Sequence, residues 1–487
     1  MILRFFSKDE LLIGGVALLL SGGLFLFVHF SVGPEGFGGG GNDFTEYRTL
    51  AENVLAGRGF SLRNAAPYEP SASRTPGYPL FLAFSLLTTG GTLGASIIQM
   101  FLLAGIGIAA YRILLLLGFG RVIACAASLL TIAEPDVLSM SAYLISDALF
   151  TFLLLLSFYF FLRFLAEREQ NFFWLASGVL GISAAVRPVA LAAWALYLFG
   201  FWMIRGAGGM KWRALALGFL LAGAFTAPWV MRNAYQFGAW KVSSADTYNL
   251  YTIIGSQIVS YRDGIPYADA REALLNQFLA DENLKPFPPA DNVGYPAQRS
   301  EFLLADSFRY DQWMRDRFWE IFWSSPGSWA KAIVLGAFEY ATQVNWLTPL
   351  EHWGIMRPSY QPLVSIKDVF LNEGIGSLAR EIGRRFICGS SCVLSFGLAG
   401  AGRIYWSLLF ILSCIGFRQA LGRWPEKKIL LWCAAIFVML LAALHIFFVG
   451  ILVQPRYRMP SVPFFTAFGL LGISVLFRKT RSILRLA

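Results

Sequence analysis

Charged side chains are scarce in this 487-residue chain, and several of them stand where an apolar segment begins or ends. Asp43, Glu46, Glu69 and Arg74 lie between the first apolar segment and the next; Glu134 and Asp136 follow the third, and Asp147 lies about a turn inside the fourth. Arg187, Arg232, Lys241, Arg456 and Arg458 stand beside later ones. Ionisable groups in such places are functional candidates by default. Arginine suits a phosphate or pyrophosphate, because its forked donors engage the oxygens with charge assistance. A carboxylate suits removal of a proton from a hydroxyl that a bound substrate brings within hydrogen-bond reach. Together these groups would serve transfer from a lipid phosphate, an arginine stabilising the departing phosphate while Asp43 helps the nucleophile attack. Plainer roles stand beside this one. Asp43 could be a helix N-cap with Glu46 as its capping-box partner. Arg456 and Arg458 could anchor headgroups with Tyr457 in an aromatic belt, Arg187 could snorkel, and Asp147 could hold a neighbouring helix.

The stretch that must position Asp43 runs from Gly33 to Thr75 and is the most polar interval in the first half of the chain. After four glycines and Asn42, the residues Glu46, Tyr47, Leu50, Ala51 and Leu55 recur at helical spacing, and Gly57 and Gly59 end the helix. Such a helix would lie in the membrane interface with Leu50, Val54 and Leu55 toward lipid or protein.

Composition sets the class. The chain is 56% hydrophobic and 14% charged, against about 25% charged in soluble domains, which indicates a polytopic membrane protein. The net charge of +10 comes from basic residues clustered between spans, the pattern that orients membrane proteins, and no nucleic-acid partner is implied. The five cysteines and three histidines lack metal-ligand spacing, and burial as small hydrophobes is the expectation for the cysteines.

Arg4 and Lys8 place the N-terminus in the cytoplasm, and Leu11 to Phe30 reads as an uncleaved anchor. Leu80 to Leu87 is too short to span. Further apolar segments follow at Ala95–Leu117, Val122–Ala133, Tyr143–Leu162, Phe172–Ala185, Leu191–Ile204 and Ala214–Val230. Residues 231–327 form an external loop far longer than usual connections, with amphipathic helices expected at Ala268–Ala280 and Gln298–Ile321. Ser328–Trp346 is a weak span containing Lys331 and Glu339; Arg380, Arg384 and Arg385 suggest a cytoplasmic return. Cys388–Ala399 and Ile404–Gly416 are two short spans or one long tilted element, and Ile429–Val453 and Phe464–Phe477 complete the chain. The expectation is an all-α polytopic fold with about 12 spans and both termini inside. Its parts are an N-terminal module 1–230 holding the first external loop 33–75, the loop 231–327 and a C-terminal membrane region 328–487.

Several motifs occur in one order along nearly the whole chain. They are Asp43 to Tyr47 with LAGRGFS ending at Ser61, Arg74 with PGYPLFLA from Pro76 to Ala83, YLISDALF from Tyr143 to Phe150, Arg187-Pro188, PWVMRNAYQFG from Pro228 to Gly238, and QPRYRMPSVP from Gln454 to Pro463. In these motifs the chain resembles the GT-C class of membrane glycosyltransferases, the broad dolichyl-phosphate-mannose protein mannosyltransferase and aminoarabinose transferase-like group. The resemblance implies a GT-C-like fold and inverting transfer of a monosaccharide from a polyprenyl-phosphate donor to a hydroxyl of a lipid, glycan or protein acceptor. It implies Asp43 as the catalytic base, with Glu46, Asp136 and Asp147 as acidic support. Arg74, Arg187, Arg232, Lys241, Arg456 and Arg458 are the candidates for the donor phosphate, and Tyr47, Tyr78 and Tyr457 for the substrate cavity. The site is expected on the periplasmic side of a bacterial inner membrane. Gln454 stands where the family often has an acid. A divalent cation could help hold the phosphate, although the carboxylates alone do not call for one. An O-antigen ligase or polymerase and a lipid-linked saccharide flippase are the competing classes.

Overall fold

The computed structural model describes residues 6–38, 42–63, 65–205, 212–281, 308–353, 355, 376–377 and 390–484, and among them it is all-helical, with no strand. The chain divides into two compact units. Unit 1 comprises Met1–Ser243, Ser407–Leu444 and Arg456–Ala487, and unit 2 comprises Ser244–Trp406 and His445–Pro455. Both boundaries differ from the sequence-based division at 230 and 327: the last apolar helices join the N-terminal module in one unit.

Unit 1 begins with α1 (Lys8–Ser31), capped by a reciprocal pair in which Ser7 and Glu10 bond each other's backbone N–H. A short α2 (Asn42–Leu55), α3 (Gly77–Thr89) and α4 (Leu93–Leu116) follow, then α5 (Arg121–Ala133), α6 (Pro135–Ala142), α7 (Asp147–Glu167), α8 (Gln170–Val186), α9 (Ala193–Arg205) and α10 (Trp212–Phe237). Helix α4 packs against α1, α5 and α7, while α8 lies between α7 and α10. Helices α1 and α4 run antiparallel and are locked at the N-terminal end of α1: Tyr111 donates to Asp9, and Arg112 pairs with Glu10. Helix α10 continues through Pro228 to Phe237, so the connection expected from Met231 starts later. Apolar helices tolerate proline where their surroundings re-satisfy the freed backbone carbonyl.

Unit 2 opens with α11 (Ala245–Tyr248), a π-helical turn (Asn249–Gly255) and α12 (Ser256–Asp263), followed by α13 (Tyr267–Asp281), α14 (Asp311–Ser324), α15 (Pro326–Thr342) and α16 (Leu347–His352). Its core is Tyr251, Phe278 and Met314, with Ile254, Ile258 and Phe318 beside them. The amphipathic helix expected at Ala268–Ala280 is α13. Of the one expected at Gln298–Ile321, residues 298–307 lie outside the described residues, as do Arg380, Arg384, Arg385 and Cys388. The two pieces expected around Cys388–Gly416 are one continuous helix where described, α17 (Ser390–Arg423), followed by α18 (Lys428–Val449) and α19 (Val462–Leu484).

Seven helices among the described residues are long and apolar enough to cross a membrane, or eight if the bent pair α5 and α6 makes one span. The count of about 12 is not confirmed: α3, α8 and α9 are apolar but shorter than the ~20 residues that cross the hydrocarbon layer. Of the cysteines, Cys433 is buried as expected, whereas Cys414 is exposed on α17.

The close fit of α3 against the end of α8 depends on Gly77. A Cβ there would lie 2.7 Å from the backbone of Ala185 and Val186, atoms that cannot turn aside as a side chain would. Gly77→Ala should therefore cost about 1–3 kcal/mol through overpacking. A thermal melt of the purified protein in detergent checks this, and an unchanged midpoint would show that the two elements separate freely.

Candidate functional site

Five chain segments, all in unit 1, deliver the site. Asp43 projects from the first turn of α2 and Glu46 from just beyond it; the helix packs on α3 through a face that includes the buried Tyr47, Leu50 and Ala51, with Leu55 exposed. Gly57 and Gly59, both at positive φ, turn the chain after α2. Asn53 then donates to the carbonyls of Ser61 and Arg63, holding the returning loop. That loop brings Arg74 back over α2, and the Thr75 hydroxyl fastens it to the last carbonyl of α8, at Val186, at 2.8 Å.

The second acid comes from the junction of α6 and α7. Gln99, in the second turn of α4, accepts from the Tyr78 hydroxyl at 2.7 Å and donates to the carbonyls of Ser141 and Tyr143 at 2.9 and 2.6 Å. This fixes the bend from which Ser146 and Asp147 emerge. Arg187 owes its place to Pro188: a residue before proline is driven out of the helical region, and Arg187 is extended, with φ −144° and ψ 121°. Helix α8 thus ends at Val186 and the guanidinium reaches α7. Arg456 lies in a short 3-10 turn, Pro455–Ser461, before α19.

These segments converge on an alternating array of charges. Arg74 donates through Nη2 to Asp43 Oδ1 at 2.5 Å and through Nε to Glu46 Oε2 at 2.6 Å. Arg456 Nη1 donates to Asp43 Oδ2 at 2.7 Å and lies 3.7 Å from Asp147 Oδ2. Arg187 donates through Nη2 to that same oxygen at 2.7 Å and through Nε to Ser146 Oγ at 2.8 Å. Asp43 keeps 21% of its side chain exposed, while Asp147 keeps 1%. Burial by itself would raise the Asp43 carboxyl, but Arg74, Arg456 and Arg187 outweigh it and hold the group well below the ordinary carboxylate range. Burial likewise works against the charge on Arg74, which Glu46 and Asp43 more than restore. The capping-box reading of Asp43 and Glu46 does not hold. Asp43 is the second residue of α2, and both its oxygens, like the bonded oxygen of Glu46, accept from arginines.

Arg74, Arg187 and Arg456 therefore meet around Asp43, Glu46 and Asp147. Other expected members are placed elsewhere. Arg232 donates to the Ser71 carbonyl at 2.8 Å and lies over the rings of Trp229, Phe237 and Phe60, so it tethers the loop that carries Arg74. Lys241 accepts through its carbonyl from Asn233. Asp136 and Arg458 are buried in α6 and in the 3-10 turn. Tyr47 and Tyr78, expected to line a cavity, are packed side chains with ring centroids 4.8 Å apart and hydroxyls engaged with Ser146 and Gln99. Tyr457 lies under the Arg456 guanidinium. Sequence reasoning missed Ser146 and Gln99. An amide within an apolar 24-residue helix was the available signal for Gln99. No group of three or more His, Cys, Asp or Glu poised to hold a metal occurs among the described residues, and the positive charge beside the carboxylates comes from arginine.

Breaking a buried pair strands its other member, which typically costs about 3–5 kcal/mol. Asp147→Ala should lower stability by that order, and adding Arg187→Met should cost little more. A double-mutant cycle on thermal unfolding reads the coupling; simple additivity would show that the pair does not join α7 to α8.

Residues 83–243 match the profile of the dolichyl-phosphate-mannose-protein mannosyltransferase family. A comparison with curated protein sequences finds no match. Among solved structures, the chain is similar to the oligosaccharyltransferase of Archaeoglobus fulgidus tethered with an acceptor peptide, at 14% identity and a TM-score of 0.47, over 99% of this chain and 51% of that one. Its apo form gives 13% identity and a TM-score of 0.45, over 99% and 52%. The same organism's AglB in complex with an inhibitory peptide and a dolichol-phosphate gives 13% and 0.44, over 98% and 51%. The chain thus spans about half the length of these proteins. Residues 83–243 are thus similar to the dolichyl-phosphate-mannose-protein mannosyltransferase family, the same group that the chain's motifs resemble.

Proposed function

We propose that the protein transfers a monosaccharide from a polyprenyl-phosphate donor to a hydroxyl-bearing acceptor of the cell envelope, with inversion, at the periplasmic face of a bacterial inner membrane. The observation that carries this reading is Asp43 held between Arg74 and Arg456, a general base beside cations suited to a leaving phosphate. The family match supports the class of reaction, and the helices fit to span a membrane support a lipid-borne donor.

In the proposed step the acceptor oxygen attacks the anomeric carbon from the face opposite the phosphate. The new carbon–oxygen bond forms as the sugar–phosphate bond breaks, and that bond's electron pair leaves with the polyprenyl phosphate. The hydroxyl proton passes to Asp43, and a single displacement inverts the anomeric centre. Arg456 and Arg187 neutralise charge growing on the phosphate, where preorganised cations are worth most. Arg74, tied at both ends, keeps the Asp43 carboxylate aimed.

The test is incubation of the purified protein with a panel of polyprenyl-phosphate sugars and total envelope acceptors, with products identified by mass spectrometry. A glycosylated acceptor of inverted configuration is expected, and Asp43→Asn should remove it while leaving membrane insertion intact. Full activity in that variant would reject the base assignment.

The pH dependence follows from the depressed Asp43 carboxyl. The profile of kcat/KM reports groups of the free enzyme, so Asp43 should contribute no acid limb between about pH 5 and 8, because its folded value lies below even the ordinary ~3.9. Arg74→Gln removes one of the charges that lower it, and the limb should move upward toward the measured range. An identical acid side in the variant would show that Arg74 does not set the protonation of Asp43.

A further inference from the structure

The site holds as much negative as positive charge. Asp43, Glu46 and Asp147 contribute three carboxylates, Arg74, Arg187 and Arg456 contribute three guanidinium groups, and each acid is bonded to at least one of these arginines. Under the reading above a donor phosphate must enter here, yet the array has no cation to spare for it. Adding a phosphate at low dielectric without releasing a carboxylate leaves like charges close together, which is unfavourable.

The three arginines are not equally committed. Arg74 uses Nη2 and Nε on two different acids and lies over the Tyr47 ring, 5.3 Å from its centroid. Arg187 uses Nη2 and Nε on Asp147 and Ser146. Arg456 makes one short ion pair, through Nη1 to Asp43, with Asp147 at 3.7 Å. Its Nε is buried with no hydrogen-bond partner, and so is Oδ1 of Asp147. A buried donor without a partner is costly and is open to an acceptor that reaches it. The Nε edge of a guanidinium is also one that forks onto a phosphate.

We propose that Arg456 is an exchangeable counter-ion, closed on Asp43 in the free protein and turning its Nε edge to the phosphate of the bound donor, so that Asp43 becomes a competent base only when a donor is present. This rests on the polyprenyl-phosphate reading and deepens it. The exchange accounts for a carboxylate that, held by two arginines, is a poor proton acceptor. It also closes the charge balance: the acceptor proton neutralises Asp43 as the phosphate takes over Arg456. Without a donor, a hydroxyl or water at the site meets a base still tied to its counter-ion, which suppresses idle chemistry. Arg456 is in this account both a phosphate contact and the element that couples donor arrival to the base.

The exchange makes Asp43 a competitor of the phosphate. Removing its charge should strengthen phosphate binding even as it ends turnover. The test measures binding of undecaprenyl phosphate, without sugar, to the full-length protein in detergent, comparing wild type, Asp43→Asn and the double variant Asp43→Asn/Arg456→Gln. The exchange predicts that Asp43→Asn binds roughly tenfold tighter than wild type, as expected for loss of a single close repulsive charge, and that the double variant loses this gain. Thermal melts confirm that each variant is folded; Asp43→Ser, judged by the same criterion, replaces the asparagine variant should that one not fold. Binding by wild type with equal or weaker binding by the Asp43 variant overturns the exchange and leaves the donor reading standing, as does a gain that persists without Arg456. Failure of the folded wild-type protein to bind undecaprenyl phosphate overturns the donor reading and the exchange with it.

Discussion

The array of three carboxylates and three arginines is the constraint on which the functional part of the structure depends. Charges at this degree of burial are tolerated only when each meets an opposite partner with good geometry. Here the partners come from the start of α2, the loop before α3, the start of α7, the residue after α8 and the turn before α19. Satisfying those pairs fixes five segments relative to one another. Hydrogen bonds outside the array complete the frame: Gln99 spans the junction of α6 and α7, Thr75 closes on Val186, and Arg232 holds the Ser71 carbonyl among aromatic rings.

The charge array also explains a conflict between position and chemistry. Asp43, the proposed base, keeps a fifth of its side chain exposed, 21%, while its arginines hold its carboxyl well below the ordinary range. A site built only for stability would have no use for an idle guanidinium edge or an idle carboxylate oxygen in its interior. Both are present, on Arg456 and Asp147, and both face the same ion-pair array. On the proposed exchange, this array is a closed state that a competing anion opens.

Much of this was legible in the sequence, and particular residues show where legibility ended. The helix at Asn42–Leu55, the acid near its start and the end marked by Gly57 and Gly59 follow from local spacing and glycine chemistry. Arg187-Pro188 was visible as a motif, and the restriction that proline places on its neighbour accounts for how it works. The pairing of Asp43 with Arg456 was not readable, because 413 residues separate them and many helix orders would have kept them apart. The same applies to Arg232, whose neighbours are three rings and a carbonyl, none of them marked by spacing. The span count of about 12 is not confirmed among the described residues, where apolar segments such as Gly77–Thr89 and Gln170–Val186 carry the composition of a membrane helix without its length. The apolar segment expected at Ala214–Val230 continues in α10 to Phe237, with Pro228 inside the helix.

The central claim concerns where a donor phosphate sits and what it displaces, and a structure of the protein with a bound polyprenyl phosphate tests it most directly. The account predicts phosphate oxygens within hydrogen-bond distance of Arg456 and Arg187, with the contact between Arg456 and Asp43 broken and Asp43 still held by Arg74. A phosphate bound away from this array, with the Asp43–Arg456 pair intact, would contradict it.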